Sequence, residues 1–283
     1  MELSSWHLFF CGTLLYAVSL SLALGVLDRW ERRGWGWAPV VFLALGFLAQ
    51  LCGFCWRGAQ GRMFPLGNAF ELSQGLAWGV VALTGVLRAV VSLRLPVALT
   101  AGLAVALGGA GFANPEWDRP ASAHFLGSPF VALHVGLVVL GYCLLAAQAL
   151  IALVFLLQNH SLERRRFSGI FRFLPPLRQV DGAGALLMGA GFAVLSLGMF
   201  AGLLTVVVVA PSAVAVFKFV CATGVWAGYG AALFLRRRRL LPGVRFAWVS
   251  LGLFGVALLV LWPANAVRGA APGGAAVALD SKS

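Results

Sequence analysis

The sequence predicts an all-α protein, a polytopic bundle of about eight transmembrane helices, on three observations. Of its 283 residues, 61% are hydrophobic and only 11% are charged, whereas a soluble domain is about 45–50% apolar and about 25% charged. The mean hydropathy is +0.92. The apolar residues fall into segments close to the roughly 20 residues that cross a bilayer as a helix. A core of this size cannot hide so much apolar surface, so lipid must cover the rest.

The eight predicted spans form a single membrane domain over residues 1–265. No basic residue precedes the first span and several follow it, which is typical of a retained helix rather than a cleavable signal. Residues 266–283 are rich in alanine and glycine and are predicted to be a disordered outer tail. The predicted spans are Trp6–Leu27, Ala38–Trp56, Asn68–Val91, Leu95–Ala113, Pro129–Leu157, Ala183–Val209, Ser212–Leu235 and Arg245–Pro263.

The net charge of +12 is distributed as a membrane topology requires. Fifteen of the 21 Lys and Arg residues lie in the loops after spans one, three, five and seven or near the span ends beside them, five lie on the opposite side, and Lys218 lies inside span seven. Because basic loops stay in the cytoplasm, this bias predicts that both termini are extracytoplasmic. It also accounts for the basic composition without nucleic acid, which is not a predicted partner. The predicted location is a bacterial cytoplasmic (inner) membrane, with the lipid bilayer as the first partner.

Three of the four histidines are predicted to lie at the outer face. His7 lies at the outer end of span one, His124 in the loop before span five, and His134 about five residues inside span five. Converging imidazoles could ligate a haem iron, since neutral imidazole is a common axial ligand. His7 and His124 are also explained as ordinary interfacial residues. His134 lies within the bilayer, where an ionisable group is expensive and usually functional.

Charged groups near the outer face are the other candidates for a binding site. Lys218 lies about two turns inside span seven, so its ammonium must reach the interface, pair, or hold an anion. Glu71 is a candidate partner for Lys218, and haem propionates are the alternative anion. Glu71 is equally explained by a capping box with Asn68 at the N-cap. Arg57 and Arg62, predicted in the outer loop, are further candidates for binding the propionates.

Cys52 and Cys55 form a CxxC at the outer end of span two. Such a pair can exchange disulfides if its thiolate is stabilised, although cysteine is also a common small filler between helices. It is not a haem-attachment motif, because Trp56 stands where CxxCH requires histidine. The sequence contains no Walker, GxSxG or HExxH motif, so no familiar hydrolase or NTPase site is predicted.

Three stretches resemble the cytochrome c assembly membrane proteins, the CcsA/CcmC group, and within it the small HemX/YpjD-like branch. The first is FPLGNAFE at residues 64–71, similar to the family's proline–asparagine–glutamate entry to a helix. The second is LHVG at residues 133–136 with Tyr142 in the apolar run that follows. The third is LPPL at residues 174–177 through Asp181, then GFAVLSLGMFAG at residues 191–202. The resemblance covers most of the chain.

This resemblance implies that the protein handles haem at the extracytoplasmic side, with a cytochrome c assembly protein as a further partner. By the resemblance, His134 corresponds to the family's haem-ligating histidine, binding a non-covalent, b-type haem, and Lys218 falls near a family lysine. The chain lacks the family's tryptophan-rich haem-binding segment, since the stretch Thr205–Ala213 is too short for it. Asn265 stands where many relatives have a second histidine. Both a haem-ligase component and an accessory or haem-sensing role therefore remain open.

Three other function classes also fit the residues. A transporter or efflux accessory protein would use Lys218 and Glu71 to line a water-filled path. A thiol oxidoreductase would use Cys52 and Cys55. A membrane regulator of haem biosynthesis, as in the HemX-like branch, would dock a cytoplasmic enzyme on its basic inner loops, Arg164–Arg166 and Arg236–Arg239, although such clusters also set topology and attract anionic lipid.

Overall fold

The computed structural model describes residues 4–28, 37–61, 66–90, 97–118, 129–164, 176–208 and 213–266. In these ranges the chain forms eight α-helices and one short 3-10 helix, Pro115–Asp118, without a strand. The all-α prediction is therefore confirmed. The helices are α1 (Ser5–Asp28), α2 (Ala38–Gly61), α3 (Ala69–Val90), α4 (Val97–Ala113), α5 (Pro129–Glu163), α6 (Leu177–Val208), α7 (Ala213–Arg237) and α8 (Gly243–Ala266).

Seven of these eight helices are long and apolar enough to cross a membrane. The shorter one is α4, whose 17 residues reach only about 25 Å at 1.5 Å per residue. The structure describes it from Val97 onward, and the predicted start at Leu95 lies outside the described residues. The predicted outer tail lies beyond the described residues.

Several helices extend past the ends of their apolar segments. The structure continues α2 through Arg57 to Gly61, so the prediction that Arg57 lies in an outer loop is wrong. It also ends α5 at Glu163 instead of Leu157 and starts α6 at Leu177 instead of Ala183. Hydropathy detects only the part of a helix inside hydrocarbon, whereas backbone hydrogen bonding continues through polar residues at its ends.

The helices pack as two groups of four, α1–α4 and α5–α8, with α5 against α6 as the most extensive pair. Hydrogen bonds show which helix ends lie together. Ser5 at the start of α1 bonds Arg57 near the end of α2, and His134 near the start of α5 bonds Gly198 in the last third of α6. We call this end of the bundle the histidine face. At the other end, which we call the aspartate face, Asp181 near the start of α6 bonds Arg236 at the end of α7.

A chain of buried polar side chains links the helices of the first group. The Tyr16 hydroxyl donates to Gln50 Oε1 at 3.1 Å, and Gln50 Nε2 donates to Gln74 Oε1 at 2.9 Å. Gln74 Nε2 in turn donates to the Gly108 carbonyl at 2.9 Å. All three side chains are fully buried. Because unsatisfied polar groups are costly where water is excluded, this chain of hydrogen bonds fixes the relative positions of α1 to α4.

The two groups meet where α3 packs on α5. A Cβ atom added at Gly79 of α3 would overlap the Cys143 sulfur of α5, so a larger residue there would require this buried sulfur to move. Leu87, further along α3, belongs to the same buried cluster as Ile151, further along α5. The two helices therefore run in the same direction, which places the starts of α3 and α5 together at the histidine face.

We expect Gly79→Ala to destabilise the protein, because the new methyl group cannot coexist with the sulfur of Cys143. The cost of such overpacking is about 1–3 kcal/mol of unfolding free energy, measurable as a lower Tm of the protein in detergent. Combining it with Cys143→Ala removes the clashing atom and should restore most of the loss. Gly189→Ala is the matched control, because nothing lies within 4 Å of its added Cβ. A Gly79→Ala variant as stable as the control would contradict this account.

Candidate functional site

His134 is held against the neighbouring helix by one ring nitrogen. It lies five residues after the first residue of α5, roughly 7 Å along the helix axis. Its Nδ1 is 2.7 Å from the main-chain carbonyl oxygen of Gly198. A carbonyl oxygen only accepts hydrogen bonds, so the ring proton of this contact is on Nδ1. In the neutral imidazole this leaves the lone pair on Nε2.

Glycine at position 202 makes room for this ring. A Cβ atom added there would lie 2.6 Å from His134 Cε1 and 2.7 Å from its Nδ1. Gly198 and Gly202 form a GxxxG pair on α6, a spacing that lets two helices approach closely in a membrane. The backbone of α6 thus both aims the imidazole and gives it space. The His134 side chain itself stays only partly buried.

This arrangement is suited to binding a metal ion. Metal-bound histidines almost always donate their second ring N–H to a carbonyl or carboxylate, which fixes the tautomer and the ring orientation. For His134, the Gly198 carbonyl already accepts this second ring N–H. Nε2 is therefore the nitrogen left to coordinate a metal ion. The site therefore offers one preorganised imidazole ligand.

The other predicted outer histidines are not brought together with His134 in the described part of the chain. His7 is exposed, and its Nδ1 lies 2.8 Å from the Ser4 hydroxyl in its own first helical turn. His124 lies outside the described residues. Among the residues that the structure does describe, no three His, Cys, Asp or Glu side chains cluster as a metal site. A converging set of three imidazoles is thus not found there.

A charged cluster at the histidine face joins α2, α3 and the 3-10 helix. Arg57 binds both carboxylate oxygens of Asp118 at 2.7 Å and Glu71 Oε1 at 3.0 Å. Its guanidinium carbon lies 5.1 Å from the ring centroid of Phe70 and 5.6 Å from that of Phe9. Arg57 is therefore committed to two carboxylates and two aromatic rings. It is not available to bind haem propionates, and Arg62 lies outside the described residues.

Glu71 and Asn68 form the predicted capping box at the start of α3. The Asn68 side-chain oxygen accepts the Glu71 backbone N–H at 2.7 Å, and Glu71 Oε2 accepts the backbone N–H of Asn68 at 3.4 Å and that of Gly67 at 2.6 Å. The capping-box prediction is confirmed. Arg57 binds the other oxygen of the Glu71 carboxylate. The cation paired with Glu71 is therefore Arg57 rather than Lys218, the candidate partner from the sequence. Lys218 lies on α7 near its start, at the histidine face, and the described contacts do not include its side chain.

The aspartate face carries a second ion pair. Asp181 bonds Arg236, whose guanidinium carbon also lies 4.8 Å from the Phe246 ring centroid. One of the arginines predicted to dock a cytoplasmic enzyme is therefore engaged within the bundle. At the histidine face, Cys52 and Cys55 are exposed free thiols, and their redox chemistry stays a prediction.

The fold defines the class: this is a polytopic helical membrane protein with a preorganised histidine near one face. The family model described as cytochrome C assembly protein matches residues 66–262, more than two thirds of the chain. The chain therefore belongs to the family of cytochrome c assembly proteins. The match covers α3 through most of α8, including His134, Gly198 and Gly202; α1 and α2 lie outside it.

One curated relative is an uncharacterized 28.8 kDa protein of Azospirillum brasilense, 33% identical over 113 residues. The aligned part is 39% of this chain and 39% of that protein. Part of the sequence therefore recurs in a protein of similar size, whose name assigns no activity.

Proposed function

We propose that the protein is a haem-handling cytochrome c assembly factor of a bacterial cytoplasmic membrane, and that it binds a non-covalent, b-type haem through His134 near the extracytoplasmic face. The observation that carries the proposal is the hydrogen bond from His134 Nδ1 to the Gly198 carbonyl. It orients the ring and keeps the Nε2 lone pair free of a proton, as an axial ligand requires.

The chain's own residues would contribute binding and orientation. His134 would coordinate the iron, Gly202 would leave the space that the imidazole needs, and α6 would hold both in register. When bound, the haem iron would supply the affinity for the imidazole and the optical signature of the site. Lys218, on the same face, is the proposed partner for a propionate, since Arg57 is already paired with carboxylates.

The charge bias of the loops supports the placement of this face outside the cytoplasm. The Lys- and Arg-rich loops follow α1, α3, α5 and α7, and all four of these helices end at the aspartate face. His134 is at the opposite end of the bundle. A transporter that uses Lys218 and Glu71 as a pair is less well supported, because the Glu71 carboxylate is occupied by Arg57 and by backbone amides.

The optical spectrum of the purified protein tests the proposal. We expect a Soret band and sharp reduced bands of a b-type haem after haem-replete expression, with the haem extractable by acid acetone because the CxxC lacks its histidine. Titration of haem into pigment-free protein should saturate at one equivalent. A protein that carries no haem and gains none on titration would rule the proposal out.

A further inference from the structure

Among the described residues, helices α2 and α3 form a wedge that is closed at the histidine face and open at the aspartate face. The Arg57–Glu71 ion pair holds them together at the histidine face. The Gln50–Gln74 hydrogen bond joins them again about one helical turn deeper on α3 and two turns deeper on α2. Next comes Phe47, stacked on Trp78 with ring centroids 4.9 Å apart and planes within 13°. Beyond this stack, toward the aspartate face, the two helices separate and a cleft opens between them.

The cleft has the volume of a ligand site. Its cavity measures about 470 Å³, within the range of about 300–1,000 Å³ that ligand pockets occupy. Leu43 and Phe47 of α2 face Val81 and Gly85 of α3 across it, and the start of α4 closes one side. The Thr84 hydroxyl that also lines it is already bonded to the Val81 carbonyl at 3.0 Å. The walls are therefore apolar over most of their area.

One charged side chain lies at the open end. Arg88 lines the cavity in the last turn of α3 and is exposed. Within the described ranges, no carboxylate forms an ion pair with it. Arg88 is ten residues from Trp78, a rise of about 15 Å at 1.5 Å per residue. That equals half of a hydrocarbon core of about 30 Å, the depth of one lipid leaflet.

The shape of the cleft restricts what can fill it. The lining spans seven residues on each helix, from Val40 to Phe47 and from Val81 to Arg88, a rise of about 10 Å, so the volume corresponds to a cross-section of about 45 Å². This admits an extended hydrocarbon chain but not a helix of about 10 Å diameter, whose cross-section is about 80 Å². Arg88, which has no ion pair among the described residues, lies at the end of this apolar slot. The site therefore complements a ligand with an anionic group attached to an apolar chain.

We propose that this cleft binds one anionic phospholipid, with an acyl chain between α2 and α3 and the phosphate at Arg88. The acyl chain would fill the space between α2 and α3 in this half of the bundle, where the side chains of the two helices do not pack against each other. The bound lipid would set the separation of the two helices at the aspartate face. This inference does not depend on the binding of haem at His134.

Native mass spectrometry of the full-length protein tests the proposal, using phosphatidylglycerol and phosphatidylcholine with identical acyl chains. We expect the wild-type protein to retain one phosphatidylglycerol with about fivefold preference, the selectivity that one surface Arg or Lys gives an anionic lipid. Arg88→Gln should still bind lipid but without this preference. Gly85→Leu should lose the bound lipid, because its side chain enters the cleft where no atom lies within 4 Å of the added Cβ.

Two variants serve as matched controls. Arg245→Gln removes an exposed arginine at the same face, on α8, and Gly252→Leu adds a side chain on α8 where the Cβ also meets open space. Both should behave as wild type. The proposal is overturned if the wild type shows no lipid preference, if Arg88→Gln keeps it, or if added haem displaces the phosphatidylglycerol. Should Gly85→Leu fail to fold, the Arg88→Gln comparison decides alone.

Discussion

Replacing His134 with alanine is expected to abolish haem binding while the protein still inserts and folds. The substitution deletes the coordinating nitrogen, and the described residues offer no second imidazole beside it. The ring is only partly buried, so its loss should change the Tm of the pigment-free protein little. The measurement is the Soret absorbance per mole of protein after haem titration, with the yield of monodisperse protein as the test of folding.

Two further variants sharpen this test. His160→Ala removes an exposed histidine at the other end of the same helix and should leave the spectrum unchanged. Gly202→Ala keeps His134 but forces its ring to move, so we expect about tenfold weaker haem binding, as when a group that orients a metal ligand is lost. Full haem occupancy in His134→Ala would remove His134 from the role of ligand, whereas loss of membrane insertion would make it a structural residue.

Replacing Arg57 with methionine is expected to destabilise the fold strongly. It leaves the Asp118 and Glu71 carboxylates facing each other between α3 and the 3-10 helix without a cation. Breaking a buried ion pair costs about 3–5 kcal/mol, and with side chains 13–27% exposed we expect the lower end, about 3 kcal/mol. Steric trapping in bicelles would measure the change in unfolding free energy.

Two comparisons isolate the electrostatic part of this effect. Arg57→Lys keeps the charge but loses the two-pronged geometry with Asp118, so it should be intermediate. Adding Glu71→Gln and Asp118→Asn to Arg57→Met removes the repulsion and should recover part of the stability. Unfolding of Arg57→Met at the wild-type free energy would mean that the cluster contributes nothing to the fold.

Most of the helical architecture could be predicted from the sequence, because hydropathy and helix length respond directly to the thickness of the bilayer. The positions of eight helices, the capping box at Asn68 and Glu71, and the depth of His134 in α5 all follow from local pattern. Helix ends are predicted less accurately. The end of the apolar segment at Trp56 predicts that Arg57 lies in a loop, yet a helix can carry an arginine at the membrane surface when carboxylates and aromatic rings surround it.

The contacts between distant segments could not be predicted in this way. The pairing of Arg57 with Asp118 joins residues 61 positions apart, and no local pattern identifies such a partner. The sequence does carry a signal for the Gln50–Gln74 contact, because a glutamine inside a predicted span requires a hydrogen-bond partner. The GxxxG spacing of Gly198 and Gly202 predicts close helix packing, but that the neighbour is His134 depends on the register of α5 against α6.

The partner of His134 is part of the polypeptide backbone, and this affects how the site can be studied. Alanine scanning of α5 and α6 cannot delete a carbonyl oxygen, so such a scan would detect the imidazole of His134 and overlook the group that aims it. Only a chemical change of the peptide linkage itself, such as an ester between positions 198 and 199, would weaken that acceptor. A substitution at position 198 leaves this acceptor in place, but its Cβ atom would lie 3.1 Å from Val138 Cγ2, so any effect on the ring would come through the packing of α5 on α6.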